Sequence, residues 1–442
     1  MRLARTPMCN RRRHGTLKIL ESDPYGKVFY SSRVRTEWKN GSFPPSGAAP
    51  SPGSVAPKAL FTRFHCVENF ALYLVFRIAA IVSFTLPWRF RMRSYHLGRI
   101  ASGTLLILLG SISLLTAATN EYRQLKKYGF GAAEGGTREY FDYITVDSAA
   151  RRVYVSHGTE IKVLDADSGA LIGDITGLKE DHGVALASEF GRGFISDGAQ
   201  GKVIIFDLKT LKVTGEAKTD KDADCVVYDP FSKRVFVMDG DPHNATVIDA
   251  KSGSVVGTIE LGGGPEFAVA DGKGTVYINL ADKSEIVAVD SRSLDIKSRW
   301  PVAPAGGPTG LAMDVQHHRL FSTGRDPQML VVLDSDSGKV LQSFPISSGV
   351  DAAVYEPETG LIFASTRDGK VHVFHEDSPD KFSEVETIKT EYGAKTMGLD
   401  TKTHKLFLST ADFGPAPAPT TDKPHPRRAA IPGTFHVLVY GR

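Results

Sequence analysis

Cysteine is almost absent from this 442-residue chain, with three in all, at positions 9, 66 and 225. Beyond residue 118 only Cys225 is left, so that part of the chain forms no intramolecular disulfide, no cysteine-built zinc site and no Cys-x-x-Cys-His haem attachment. No Gly-x-Ser-x-Gly elbow or His-Glu-x-x-His segment occurs, which excludes the hydrolases and zinc proteases built on those motifs. An apolar run of comfortable bilayer length is missing too. Leu105 to Leu115 is short, and Ala71 to Pro87 is broken by Arg77, which costs about 2.5–3.5 kcal/mol at a bilayer centre.

The formal net charge of +3 hides an uneven distribution. Residues 1–91 hold 15 Lys/Arg against 4 Asp/Glu, and the remainder carries 38 against 46. From Met92 the chain reads as a secretory signal: Arg93 and Arg99 form a basic start, Leu105–Leu115 an apolar centre, and Thr116-Ala117-Ala118 a small-residue cleavage site. Residues 1–91 are then a leader or a translated upstream extension, 92–118 the signal peptide, and 119–442 an exported chain, periplasmic or extracellular. That chain holds 36 basic and 46 acidic residues, a balance that disfavours nucleic acid as partner.

What fills residues 119–442 is repetition. The segments "DYITVD", "HGVALA", "DCVVYD", "EFAVAD", "TGLAMD", "DAAVYE" and "KTMGLD" recur at steps of 40 to 44 residues. Each is followed by a second β-rich run ("VYVS", "GFIS", "VFVM", "VYIN", "LFST", "IFAS", "LFLS") and a third ("IKVLD", "VIIFD", "ATVID", "IVAVD", "LVVLD", "VHVFH", "FHVLV"). Turns such as "DADSG", "DAKSG" and "DSDSG" then lead to a more polar fourth run. Asp starts these turns through its side chain, and Gly takes a positive φ. Seven units of four short strands predict an all-β, seven-bladed β-propeller of four-stranded antiparallel blades. The last unit lacks its fourth strand, and "EYRQLKKYGF" after the signal is expected to supply it, closing the ring with an N-terminal strand.

These repeats resemble the YVTN-type, YncE-like seven-bladed propellers, with "GPEFAVADGKGTVYIN" and "VFVMDGDPHNATVIDAKSGSVVGTI" carrying the likeness over about residues 137–442. The resemblance implies an exported scaffold of the WD40/YVTN-repeat type, expected to be a monomer. Quinone-dependent propeller dehydrogenases resemble this architecture as well, but they carry blade-docking tryptophans, and Trp300 is the one tryptophan after residue 118.

In such a blade the innermost strand lines the central channel. The first residues of the seven units, Asp142, His182, Asp224, Glu266, Thr309, Asp351 and Lys395, are therefore expected to ring one mouth of it. Loops between second and third strands add His157, Asp197, Asp239, Asn279, Arg325 and Arg367. Converging carboxylates repel one another, so they either shift in pKa or recruit a cation such as calcium, with Asp224, Glu266 and Asp351 as the metal candidates. A hydrated acidic channel balanced by Lys395 and the arginines is the alternative. The proline-rich stretch 411–433 interrupts the last blade on the same face, as a lid or a plain surface loop. His243, His317 and His318 read as loop residues.

Three functions fit this pattern. The first is a non-catalytic binding propeller that holds a small ligand or a cell-envelope partner at the mouth. The second is a metal-assisted, lactonase-like hydrolase using Glu266, Asp224, Asp351 and Asn279. The third, the DNA binding proposed within YncE-like proteins, meets the adverse charge.

Overall fold

Runs of Val, Ile, Phe and Tyr too short for helices become strands here because each is wanted on a pleated, two-sided surface. A computed structural model describes residues 121–420 and 426–442. The expected extension 1–91 and signal peptide 92–118 lie outside the described residues. Seven four-stranded antiparallel sheets form. Their innermost strands are Ile144–Asp147, Asp181–Ala187, Ala223–Asp229, Pro265–Ala270, Pro308–Asp314, Val350–Glu356 and Met397–Asp400, defining blades 1 to 7. Each packs beside the innermost strand of the next blade, and that of blade 7 beside that of blade 1. The ring is closed.

Closure follows the expected route. Arg123–Gly129 pairs antiparallel with His436–Gly441 as the outer strand of blade 7, so the ends of the propeller share one sheet. The joint is packed as well as hydrogen-bonded. Gly169, at φ +71° in the turn of blade 1, lies against the Tyr128 ring, and a Cβ there would sit 2.1 Å from Tyr128 Cζ. Glycine is required on both counts.

The core lies between blades. Every second strand carries one aromatic at the same place, Tyr154, Phe194, Phe236, Tyr277, Phe321, Phe363 and Phe407, all buried. Burying each such ring contributes about 1.5–3 kcal/mol, and the repetition distributes that stabilisation evenly around the circle. The Asp-initiated turns behave as their composition implies. Asp165, Asp249 and Asp334 accept hydrogen bonds from the amide and hydroxyl of Ser168, Ser252 and Ser337. In each, Oδ1 takes both bonds and fixes the turn.

Candidate functional site

The mouth of the channel is built on irregular backbone. In blades 2 to 6 the pairing of the innermost strand slips at the ring position, between Asp181 and Val184, Ala223 and Val226, Pro265 and Ala268, Pro308 and Leu311, and Val350 and Ala352. Such bulges re-aim a side chain that regular pleating would direct elsewhere. His182, Asp224, Glu266, Thr309 and Asp351 all sit on them, while Asp142 and Lys395 lie just ahead of their strands.

Hydroxyls hold this backbone in place from the neighbouring blade. Ser196 Oγ donates to the Asp224 carbonyl, Ser365 Oγ to that of Lys395, and Ser156 Oγ to that of Asp181 at 3.1 Å. Asn279 does the same in blade 4, its Nδ2 donating to the Thr309 and Gly310 carbonyls at 2.8 and 3.1 Å, while its Oδ1 accepts from Ser322 at 3.0 Å. Asn279 is thus a strap between blades, with its amide committed there. The signal was the polar residue closing most of the second runs, as in "VYVS", "GFIS", "VYIN" and "IFAS".

Seen around the ring, the charges come from neighbouring blades and largely alternate. Lys395 Nζ contacts Asp142 Oδ1 at 2.8 Å and also Asp351. Arg325 bridges Asp351 to Glu266, its Nη1 lying 3.5 Å from Glu266 Oε1. His182 Nδ1 lies 3.0 Å from Asp142 Oδ2 and 3.2 Å from Asp224 Oδ1. Blade 5 therefore contributes Arg325 to the charge ring, and Thr309 is buried with its hydroxyl on the Val350 carbonyl at 3.4 Å. Seven is odd, so strict alternation is impossible, and the two adjacent acids are Asp224 and Glu266 of blades 3 and 4. The candidate metal set is accordingly divided: Asp224 sits with His182, while Glu266 and Asp351 share Arg325.

Proton affinities follow these contacts. Burial alone would neutralise His182, but Asp224 and Asp142 outweigh it and hold the imidazolium charged well above the usual histidine range. Burial also opposes ionisation of Asp351, yet Lys395 and Arg325 hold its carboxyl far below the ordinary value. Tyr140, which the repeat pattern did not single out because it precedes the first unit, completes this side. Its hydroxyl lies 2.9 Å from His182 Nδ1 and 3.2 Å from Asp142 Oδ2.

Beneath the ring an aromatic contact crosses the channel. Tyr143 of blade 1 reaches Phe267 of blade 4, a blade that is not its neighbour, with ring centroids 4.6 Å apart. The mouth is a shallow charged dish on an apolar floor. Cys225 lies in the same inner layer, and burial pushes its thiol up to about 12, which removes it as a nucleophile.

The remaining loop candidates are structural. His157 stacks on Phe435 with centroids 3.9 Å apart and places Nε2 2.7 Å from Glu139 Oε1. Asp197 accepts from the Lys179 and Glu180 amides at 3.0 and 3.2 Å, fixing the loop that delivers His182. Asp239 accepts from the amide and hydroxyl of Thr246, and burial pushes its carboxyl up to about 6.

Arg367 differs. Among the described residues its guanidinium has no hydrogen bond or ion pair, and it lines a cavity of about 600 Å³ with Tyr392, Pro417, Pro419, Arg427 and Arg428. Burial, opposed by Asp351 but reinforced by Arg427, holds its pKa below the ordinary value. The stem of the proline-rich stretch forms one wall. It is a pinned hairpin rather than a free loop: Phe413 bridges to Ala430 and packs edge-on against Tyr392 at 4.9 Å. Gly393 accommodates that ring, since a Cβ there would lie 2.3 Å from Phe413 Cε2.

No family model and no curated protein matches the chain. Solved structures do. A chain in the crystal structure of a mitotic checkpoint complex matches with a TM-score of 0.56 at 12% identity, covering 72% of this chain and 93% of that one. The hydrazine synthase of Kuenenia stuttgartiensis matches with a TM-score of 0.54 at 13% identity, covering 63% and 96%. The chain is a seven-bladed β-propeller. At such identities the likeness extends to fold and no further. Among the described residues, no helix of this propeller is long and apolar enough to cross a membrane.

Proposed function

We propose that this propeller is an exported, non-catalytic scaffold of YncE-like type that binds an anionic ligand, free or borne by a cell-envelope partner, on the face carrying the channel mouth. One observation carries the reading. The ring's carboxylates are matched by Lys395, Arg325 and His182, whereas Arg367, Arg427 and Arg428 face one cavity with no carboxylate bound to them among the described residues. Asp368, also in that wall, is engaged by Lys370 at 3.1 Å. Arginine suits carboxylate and phosphate because its planar fork donates to two oxygens at once.

Calorimetric titration with citrate and with inorganic phosphate tests this, with duplex DNA as a further arm. Saturable binding of one small anion is expected, weakened by salt and reduced at least about tenfold in Arg367→Ala, equivalent to one lost charge-assisted hydrogen bond. Absence of binding by both anions, or equal binding by the variant, overturns the reading; preference for DNA would redirect it. Export is tested separately by the mass of the native N-terminus, expected to begin at Thr119.

A further inference from the structure

On the opposite rim, where innermost strands end, three side chains of blades 5 and 6 converge. Asp314 closes the innermost strand of blade 5, His317 lies in the turn after it, and Glu376 is near the end of the third strand of blade 6. His317 Nδ1 is 2.6 Å from Asp314 Oδ2 and 3.0 Å from Glu376 Oε1. One ligand atom from each of the three lies within 4.8 Å of the other two.

Two facts separate this cluster from an ordinary charged surface. Both carboxylates are buried, Asp314 at 2% and Glu376 at 8% exposure, and among the described residues neither has a lysine or arginine ion-paired to it. Glu376 Oε1, more than nine-tenths buried, has no hydrogen-bond partner, and neither has His317 Nδ1, although they face each other at 3.0 Å. The two atoms are close but not aligned as an N–H···O hydrogen bond. Other oxygens are already engaged: Glu376 Oε2 accepts from Tyr355 at 2.8 Å, and Asp314 Oδ1 from the Gln316 amide at 2.9 Å. Asp314 Oδ2 also accepts from the His317 amide, weakly, at 3.3 Å, so both residues have an oxygen fixed by the protein, and Glu376 Oε1 is the one left without a partner, as supported metal ligands are.

The other two clusters of comparable composition differ in that the imidazole nitrogen facing the carboxylates is already hydrogen-bonded. In Asp142–His182–Asp224 the imidazole is hydrogen-bonded to Asp142 and Tyr140. In Glu391–Asp412–His436, Glu391 is shared between His436 and Lys127.

The geometry points to a divalent transition-metal site of zinc type, formed by His317 Nδ1, Asp314 Oδ2 and Glu376 Oε1. One nitrogen and two oxygens suit zinc, whose bonds of about 2.0–2.2 Å set tetrahedral ligands about 3.3 Å apart. From the present 2.6 and 3.0 Å, the separations would open by about 0.7 and about 0.3 Å to reach that spacing. Half-exposed His317 leaves the fourth position to water. Such an ion neutralises two buried carboxylates and joins blade 5 to blade 6.

The test is thermal unfolding of metal-stripped chain with and without ZnCl2, together with zinc content after dialysis. One zinc per chain and a rise of several degrees in Tm are expected, with the rise lost in Glu376→Gln. Asp314 also caps its turn, so His317→Ala serves as the second variant: it is expected to keep the metal-free Tm within about 2 °C, as surface changes do, and to weaken zinc at least about tenfold. No bound zinc in the unsubstituted chain, or an undiminished shift in both variants, overturns the assignment. Anion binding at the mouth is read independently, since none of these residues lines that cavity.

Discussion

Tyr143 and Phe267 meet edge to face across the central channel, 4.6 Å between centroids and 85° between planes. They come from blades 1 and 4, so the contact is a strut spanning the ring. It lies one residue along from the ring positions Asp142 and Glu266. Phe267 is the hub of this floor, packing against three of the inter-blade cores.

Replacing Phe267 by Ala is expected to cost about 3 kcal/mol, the lower end for a large aromatic removed from a core because Phe267 is only half-buried. Urea unfolding measures it. A double-mutant cycle with Tyr143→Leu should return a coupling of about 0.5–1.5 kcal/mol; a coupling of zero would mean that the strut is incidental.

Lys395 contacts acids on both neighbouring blades, and removing it leaves each with one cationic partner, Arg325 for Asp351 and His182 for Asp142. Lys395→Met is expected to destabilise the fold by about 3 kcal/mol, as for a buried pair broken on one side. Adding Asp351→Asn should recover part of the loss. A cost below about 1 kcal/mol, typical of exposed pairs, would contradict the alternating-charge account.

The dependence of stability on pH carries a signature of Asp181. This carboxyl is fully buried, with Oδ2 accepting from the His157 amide at 3.1 Å and Oδ1 without a partner. Burial pushes it up to about 7, whereas the unfolded chain releases the proton near 4. The native state therefore binds more protons between those values, and its contribution, full below about pH 4, is lost as pH rises to about 7. Asp181→Asn should flatten unfolding free energy over that window and leave the slope above pH 8 unchanged.

Deleting residues 119–135 removes the strand that closes blade 7 and bares the edge of His436–Gly441. A loss of several kcal/mol, on the order of 10 °C in Tm, is expected. Self-association should accompany it, because an uncovered edge recruits another chain. Light scattering beside thermal unfolding checks both, and an unchanged Tm would rule out the closing role.

Much of the architecture was legible from local chemistry. Alternating β-branched and aromatic runs, Asp-to-Gly turns and a repeat near 42 residues specify blades because each depends only on neighbours in sequence. The missing fourth strand of the last unit pointed to Arg123–Gly129 by elimination. Residue types at the mouth were legible too, since the repeat phase places Asp142, His182, Asp224, Glu266, Asp351 and Lys395 in one register.

Their pairing was not, because it depends on distances between blades that no single repeat encodes. Arg325 takes the charge position of blade 5 from a different strand. Asn279, expected near a ligand, ties two blades instead. His317 read as a loop residue because Asp314 and Glu376 approach it only once blades 5 and 6 are packed.

By itself, then, the sequence determined the blade, its count and its turns, through period, propensity and side-chain turn chemistry. Only the tertiary structure decided which charges cancel, where Arg367 stays open, and that Tyr143 and Phe267 meet across the channel. Closing seven similar units into a circle brings together side chains distant in sequence, and electrostatic balance and aromatic packing are settled by that circle.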